Sequence, residues 1–284
     1  MTSTPRRVLR PVATSLLALV TAGQVGAASM TLINGAGFES SQYQLGDLQG
    51  QTAETLGGPL SWFVSPNPTP STAVVQDSVV LSGEQALRVD RAADSSTRWF
   101  VPLPNDPTLP LVGIEWDMMV ESAGSGQPFG PFFGIEAYDE SPSSLLQLAS
   151  LGVDATTGDV LYIVRDDGVQ PGFLVETGVQ VGLDEWNHFR ILLDYTTDTS
   201  FLFVNGERLL STPFARDGAV GFSDADITAI AASGDQASLA ATGTAYFDNY
   251  VVFETDDFST IPEPASLTLL CPSWMLLVQR RRRR

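Results

Sequence analysis

The chain has 284 residues, with 33 acidic and 15 basic side chains and a formal net charge of −18. Every basic residue is an arginine; three stand in the first ten positions and five in the last five, so the region between holds seven against 32 of the acids. That balance excludes the basic face a nucleic-acid partner needs, and the single cysteine, Cys271 near the C-terminus, leaves the central region without disulfide or thiol chemistry.

The first element in chain order is a secretion signal over residues 1–28. Arg6, Arg7 and Arg10 give it a positive start, residues 12–20 are apolar, and small residues at 25–28 fit a cleavage site. That apolar run is less than half of the ~20 residues a helix needs to cross a bilayer, which predicts a removed leader rather than an anchor. The Arg6-Arg7 pair matches the twin-arginine pattern only loosely, so the general export route is expected.

Residues 29–258 read as one domain, long enough for a single large core. Prolines and serines mark a loop at 59–72, and glycines and prolines mark another at 123–131. Elsewhere, short stretches rich in β-branched and aromatic residues are bounded by Gly, Asn and Asp. They predict strands at 73–76, 86–90, 97–101, 113–120, 132–138, 145–151, 160–165, 173–176, 186–194, 201–204 and 246–254. Asn205-Gly206 predicts a type I′ hairpin and Thr157-Gly158 a second tight turn. Residues 227–231 fit a strand or a short helix. Many short strands with turn signals, and no long helical period between the ends, predict an all-β sandwich or jelly roll.

The chain ends in IPEPASLTLLCPSWMLLVQRRRRR. Residues 265–278 are mostly apolar and can enter a bilayer, and Arg280, Arg281, Arg282, Arg283 and Arg284 would hold the cytoplasmic side as a membrane stop. Pro272 interrupts a helix there. Pro262-Glu263-Pro264, the short hydrophobic stretch and the arginine cluster together resemble the PEP-CTERM sorting signal over residues 261–284. Cys271 and Pro272 depart from that signal's usual Gly/Leu-rich transmembrane helix. The resemblance implies a Gram-negative envelope and an exosortase partner, a membrane transpeptidase that cuts near the PEP. It also implies transient anchoring, then release to the cell surface or beyond, often beside exopolysaccharide.

Residues 186–210, WNHFRILLDYTTDTSFLFVNGERLL, resemble the core hairpin of concanavalin A-like jelly rolls, including laminin-G-type domains. That fold serves sugar binding, glycoside hydrolysis and architecture alike. INGAGFES at 33–40 and YFDNYVVFE at 246–254 resemble the first and last strands of calcium-stabilised carbohydrate-binding sandwiches. The resemblance implies that Glu39 and Asp248 share a structural calcium, a cation that takes six to eight oxygen ligands. The plainer reading is two acids in turns of a very acidic protein.

Glu115, Asp117 and Glu121 resemble the acidic strand of laminarinase-like glycosidases, and strand alternation puts all three on one face. Glu115 and Glu121 stand ~20 Å apart along an extended strand, against the about 5–5.5 Å of a retaining carboxyl pair. A solvated acidic face is expected there. His188 is the only histidine and no G-x-S-x-G elbow occurs, so neither a Ser-His-Asp hydrolase nor a His-rich zinc site is expected. Trp62, Trp99, Trp116, Trp186 and several tyrosines could stack on sugar rings, although tryptophans in alternating strands are more often core than platform; of the four, Trp99, beside Arg98, is the one expected to be exposed. Asp166-Asp167-Gly168 and Asp224-Ala225-Asp226 read as ordinary turns, since neither continues into a calcium-loop pattern. The leading expectation is a non-enzymatic envelope or matrix protein with a carbohydrate-binding or structural jelly roll. The alternative is a glycoside hydrolase or lyase on the same scaffold.

Overall fold

The computed structural model describes residues 28–103, 107–123, 129–141, 144–164, 173–219 and 221–260. Residues 1–27 of the expected leader, the segment 261–284 that resembles a sorting signal, and Asp166-Asp167-Gly168 lie outside them. No helix among the described residues is long and apolar enough to cross a membrane.

Strands run in chain order as β1 (Ser29–Asn34), β2 (Gly46–Asp47), β3 (Thr52–Thr55), β4 (Leu60–Ser61), β5 (Phe63–Val64), β6 (Thr72–Gln76), β7 (Ala86–Arg91), β8 (Thr97–Phe100) and β9 (Leu111–Val120). They continue as β10 (Pro131–Ser141), β11 (Ser144–Asp154), β12 (Asp159–Val164), β13 (Phe173–Gln180), β14 (Trp186–Asp194), β15 (Thr199–Val204), β16 (Glu207–Pro213), β17 (Asp224–Ala231) and β18 (Gly243–Thr255). One short helix, α1 (Gln236–Ala240), stands between β17 and β18. The ambiguous segment around 227–231 is therefore strand, and the expected all-β sandwich is what forms.

Two antiparallel sheets face each other. The first runs β16-β15-β14-β9-β18-β1-β3-β4, with β7, β6 and β2 joining through β18. The second runs β13-β12-β11-β10-β17-β8-β5. Alternation sends Val112, Ile114, Trp116, Met118 and Val120 of β9 inward, to meet Phe133, Ile135 and Ala137 of β10 and Ile227 and Ala229 of β17 in one core. Trp116 stacks on Phe189 of β14 with ring centroids 5.5 Å apart. The predicted turns hold as well: Asn205 and Gly206 both have positive φ, 52° and 81°, as a type I′ turn requires.

β18 organises the first sheet. Residues Gly243 to Phe247 pair with β7 on one side, and Val251 to Thr255 pair with β1 on that same side, while β9 lines the other side throughout. The sheet therefore forks. At the fork the β18–β9 register slips between Asp248 and Val251, and Asn249 takes a left-handed φ of 51°. A bulge is the ordinary way to re-aim side chains where one strand changes partners.

The outward face of this sheet covers itself. The Phe253 ring lies over Gly113, where a Cβ would stand 2.3 Å from it. The Arg190 guanidinium sits 5.5 Å from the Phe203 ring centroid and 5.8 Å from that of Phe253, and Arg190 also pairs with Glu115 at 3.2 Å.

Candidate functional site

The fork brings Glu39 and Asp248 together. After β1 the chain makes one 3-10 turn, Ala36–Phe38, in which all three residues have positive φ (48°, 62° and 61°). Only Gly37 adopts that conformation without steric cost. Phe38 is held in it by burial against Tyr43 and Trp62. Strain of this kind concentrates at ligand clamps. Gly37 is needed for a second reason: a Cβ there would stand 3.0 Å from Asp248 Oδ1, 3.6 Å from Asn249 Oδ1 and 3.7 Å from Glu39 Oε1. Three side-chain oxygens thus converge on a space that any larger residue would fill.

The same carboxylates hold the loop between β6 and β7. Asp248 Oδ2 accepts hydrogen bonds from the backbone N–H groups of Leu81 (3.1 Å) and Ser82 (3.0 Å). Both Glu39 carboxylate oxygens accept from Glu84 N–H, at 3.1 and 3.0 Å. Burial pushes the Asp248 carboxyl upward, the backbone N–H groups of Ser82, Asn249 and Leu81 pull it down, and the Glu39 charge raises it further. These are hard oxygens carrying two negative charges, three of the six to eight oxygen ligands a calcium ion takes.

The acidic stripe of β9 is divided among separate partners. Glu115 pairs with Arg190, and Glu121 accepts from the Tyr246 hydroxyl at 2.8 Å. Asp117 accepts from Asn249 Nδ2 at 2.8 Å and meets His188 Nδ1 at 3.0 Å. Nothing brings two of these carboxyls to bear on one bond. The hydrogen bond to Asp117, strengthened by that carboxylate's charge and by Glu115, raises His188 above its ordinary 6.5, against burial and Arg190. An NMR titration of the His188 ring should show that elevation, and Asp117→Asn should move the midpoint back down. An unchanged midpoint in the variant would show that the pair does not govern it.

Three tryptophans offered as sugar platforms are core. Trp62, Trp99 and Trp116 are at most 2 % exposed, and only Trp186 is partly open. The expectation for Trp99 is overturned by alternation, because Arg98 points outward on β8 and its neighbour must point in. Among the described residues the exposed aromatics are phenylalanines. Phe63 of β5, 48 % exposed, stacks on Phe100 of β8 with centroids 5.9 Å apart, and both are on the outward face of the second sheet.

Beside that pair lies an array that sequence reasoning did not find. Arg98 of β8, Thr228, Asp226 and Asp224 of β17, Glu136 and Tyr138 of β10 and Gln147 of β11 share this outward face through strand register. Glu136 is its hub. Its carboxylate accepts from Arg98 Nε, from the Thr228 hydroxyl (2.9 Å), from the Tyr138 hydroxyl (3.1 Å) and from Gln147 Nε2 (2.9 Å). Asp226 stands directly opposite Glu136, and Asp224 opposite Tyr138. Asp224 and Asp226 read as a turn in sequence, yet they open a strand and are 1 % and 6 % exposed. Farther along the second sheet, Leu161, Phe173, Leu174, Glu176 and Ile230 line a groove of about 640 Å³.

Burial, and then the Glu136 charge, raise the Tyr138 hydroxyl far above its ordinary value, and that hydroxyl keeps its proton and donates a hydrogen bond to Glu136. A tyrosine acting as base needs the opposite shift. The chain's one histidine is on the other sheet.

No family model matches the chain, and no curated protein matches it. Among solved structures the chain is similar to an endo-β-1,4-glucuronan lyase from the fungus Trichoderma reesei. That pair shares 11 % identity over 75 % of this chain and 95 % of the lyase, with a TM-score of 0.50. The cellulose-induced protein Cip1 aligns at 14 % identity over 67 % of this chain and 90 % of its own, TM-score 0.46. Alginate lyase Aly36B aligns at 12 % over 68 % and 87 %, TM-score 0.46. The likeness to the glucuronan lyase establishes the architecture, a two-sheet jelly roll, and nothing about activity.

Proposed function

We propose that this chain is an exported surface protein whose jelly roll binds polysaccharide, without cleaving it, on the outward face of the second sheet. One observation carries the reading: the exposed Phe63 stacks on the half-buried Phe100 beside a face on which the polar ends of Arg98 and Gln147 are partly open. Sugar rings offer an apolar face to aromatic carbon and hydroxyls to such groups, and sites of this type combine the two. The seven strands give that face a width of about 29 Å, at about 4.8 Å per strand spacing, which suits a chain rather than a single sugar.

Two further expectations belong to the same reading. Calcium at Glu39, Asp248 and Asn249 Oδ1 would tie the β1 turn, the β6–β7 loop and the β18 bulge together, bracing the sheet fork. The leader and the tail with Pro262, Glu263 and Pro264 would deliver the domain through an exosortase to the surface, where exopolysaccharide is the natural ligand. Electrophoresis of the full chain through gels containing matrix polysaccharides tests the binding. Retardation is expected, and Phe63→Ala/Phe100→Ala should weaken it about tenfold, equivalent to about 1.4 kcal/mol. Migration untouched by every polysaccharide would sink the reading.

A further inference from the structure

We infer that the polysaccharide this face takes is neutral, and that polyuronates are excluded from it. The inference rests on the binding role proposed above and narrows the ligand. The seven strands of the second sheet carry one cationic residue, Arg98, against eight acids. That cation is already spent on Glu136. Glu136, Asp224, Asp226, Glu140 and Glu176 all stand on the outward side by alternation and register. A uronate carboxylate arriving there would find no free cation on these strands and, at the exposed Glu140 and Glu176, like charges.

The second observation concerns donors. Around Glu136 the donors of Arg98, Tyr138, Thr228 and Gln147 are already engaged. A face whose donors are committed has little to offer a ligand group that can only accept. A carboxylate is such a group, whereas the hydroxyls of a neutral sugar also donate. The Phe63–Phe100 pair completes the match with an uncharged apolar surface beside the acids.

The test is affinity electrophoresis of the full chain at pH 8 with a neutral β-glucan, with alginate and with polygalacturonate, at low and at moderate salt. The expected result is retardation by the glucan at both salt levels, lost in Phe63→Ala/Phe100→Ala, and none by either polyuronate. Glu140→Lys/Glu176→Lys, two exposed changes that spare the core, should create polyuronate retardation at low salt that moderate salt removes. If a polyuronate retards the unaltered protein as strongly as the glucan, and the phenylalanine variant abolishes it, the exclusion is wrong while the binding face stands. If nothing retards the protein, or retardation survives loss of the phenylalanines, the binding face itself is wrong and the inference falls with it.

Discussion

Stripping divalent cations with EDTA should lower the melting temperature of the full chain by about 5–10 °C, and added calcium should restore it. A ligand at about 100 times its Kd contributes about 2.7 kcal/mol to the folded state. A domain of this size shifts by about 2–4 °C per kcal/mol. The effect belongs to one place, because Glu39 and Asp248 sit where β18 leaves β7 for β1 and where three chain segments meet. Without a cation, two carboxylates face one another around Gly37 and are held by backbone N–H groups alone. Glu39→Gln or Asp248→Asn should therefore melt at the same temperature with and without EDTA. Gly37→Ala supplies a control that leaves both acids in place. Its Cβ occupies the space the oxygens share, and φ of +62° strains any residue larger than glycine. Loss of the calcium response in that variant would tie the response to the cradle. A melting curve indifferent to EDTA in the unaltered protein would remove calcium from this site.

The two acids of the fork were legible because Asp248 lies in the last strand and Glu39 in the turn just after the first, next to residues whose local pattern (GFE and FDN) is itself distinctive. Most strands were legible for a related reason: alternation and turn residues are local signals, and Asn205-Gly206 marks its turn without help from the rest of the chain. The face of the second sheet was not legible. Its members come from β5, β8, β10, β11 and β17, and what unites them is register, such as Thr228 opposite both Arg98 and Gly134. No spacing in the chain announces that. Phe63 escaped notice because its strand is two residues long within a stretch that reads as loop. Trp99 misled because it was judged by its neighbour Arg98, whereas adjacent strand residues face opposite sides. Asp224 and Asp226 misled because a D-x-D beside Gly and Ser looks like a turn, and only the register with β10 shows the pair to be buried. The one signal available was alternation itself: in DADITAIA the acids share a side with Thr228 and Ile230, while Ala225, Ile227 and Ala229 share the other.

Those two aspartates give the second large effect: Asp224→Asn/Asp226→Asn should be more stable than the unaltered protein at pH 8, by about 4 kcal/mol, and indistinguishable from it near pH 4. Burial, and then the Glu140 charge, push Asp224 up to about 7. Burial together with the charges of Asp224 and Glu136 raises Asp226 well above its ordinary range, with Arg98 opposing. In the unfolded chain both titrate near the ordinary value of about 3.9. The folded protein thus binds more protons than the unfolded chain from about pH 4 upward, and stability from this pair is complete below pH 4 and lost as pH rises through 7. A rise of about three units at about 1.4 kcal/mol each sets the size. Because the carboxyls are coupled, the loss belongs to the pair rather than to either residue. Asparagine keeps the shape and removes the charge, so the variant escapes the loss. Comparing the two proteins at each pH cancels the opposing contribution of Asp117, whose carboxyl His188 and Asn249 lower despite burial, and that of His188. Chemical denaturation at pH 4, 6 and 8 reads the difference directly. A variant less stable than the unaltered protein at pH 8 would mean that both aspartates stay charged in the fold, balanced by a cation that the asparagines cannot hold.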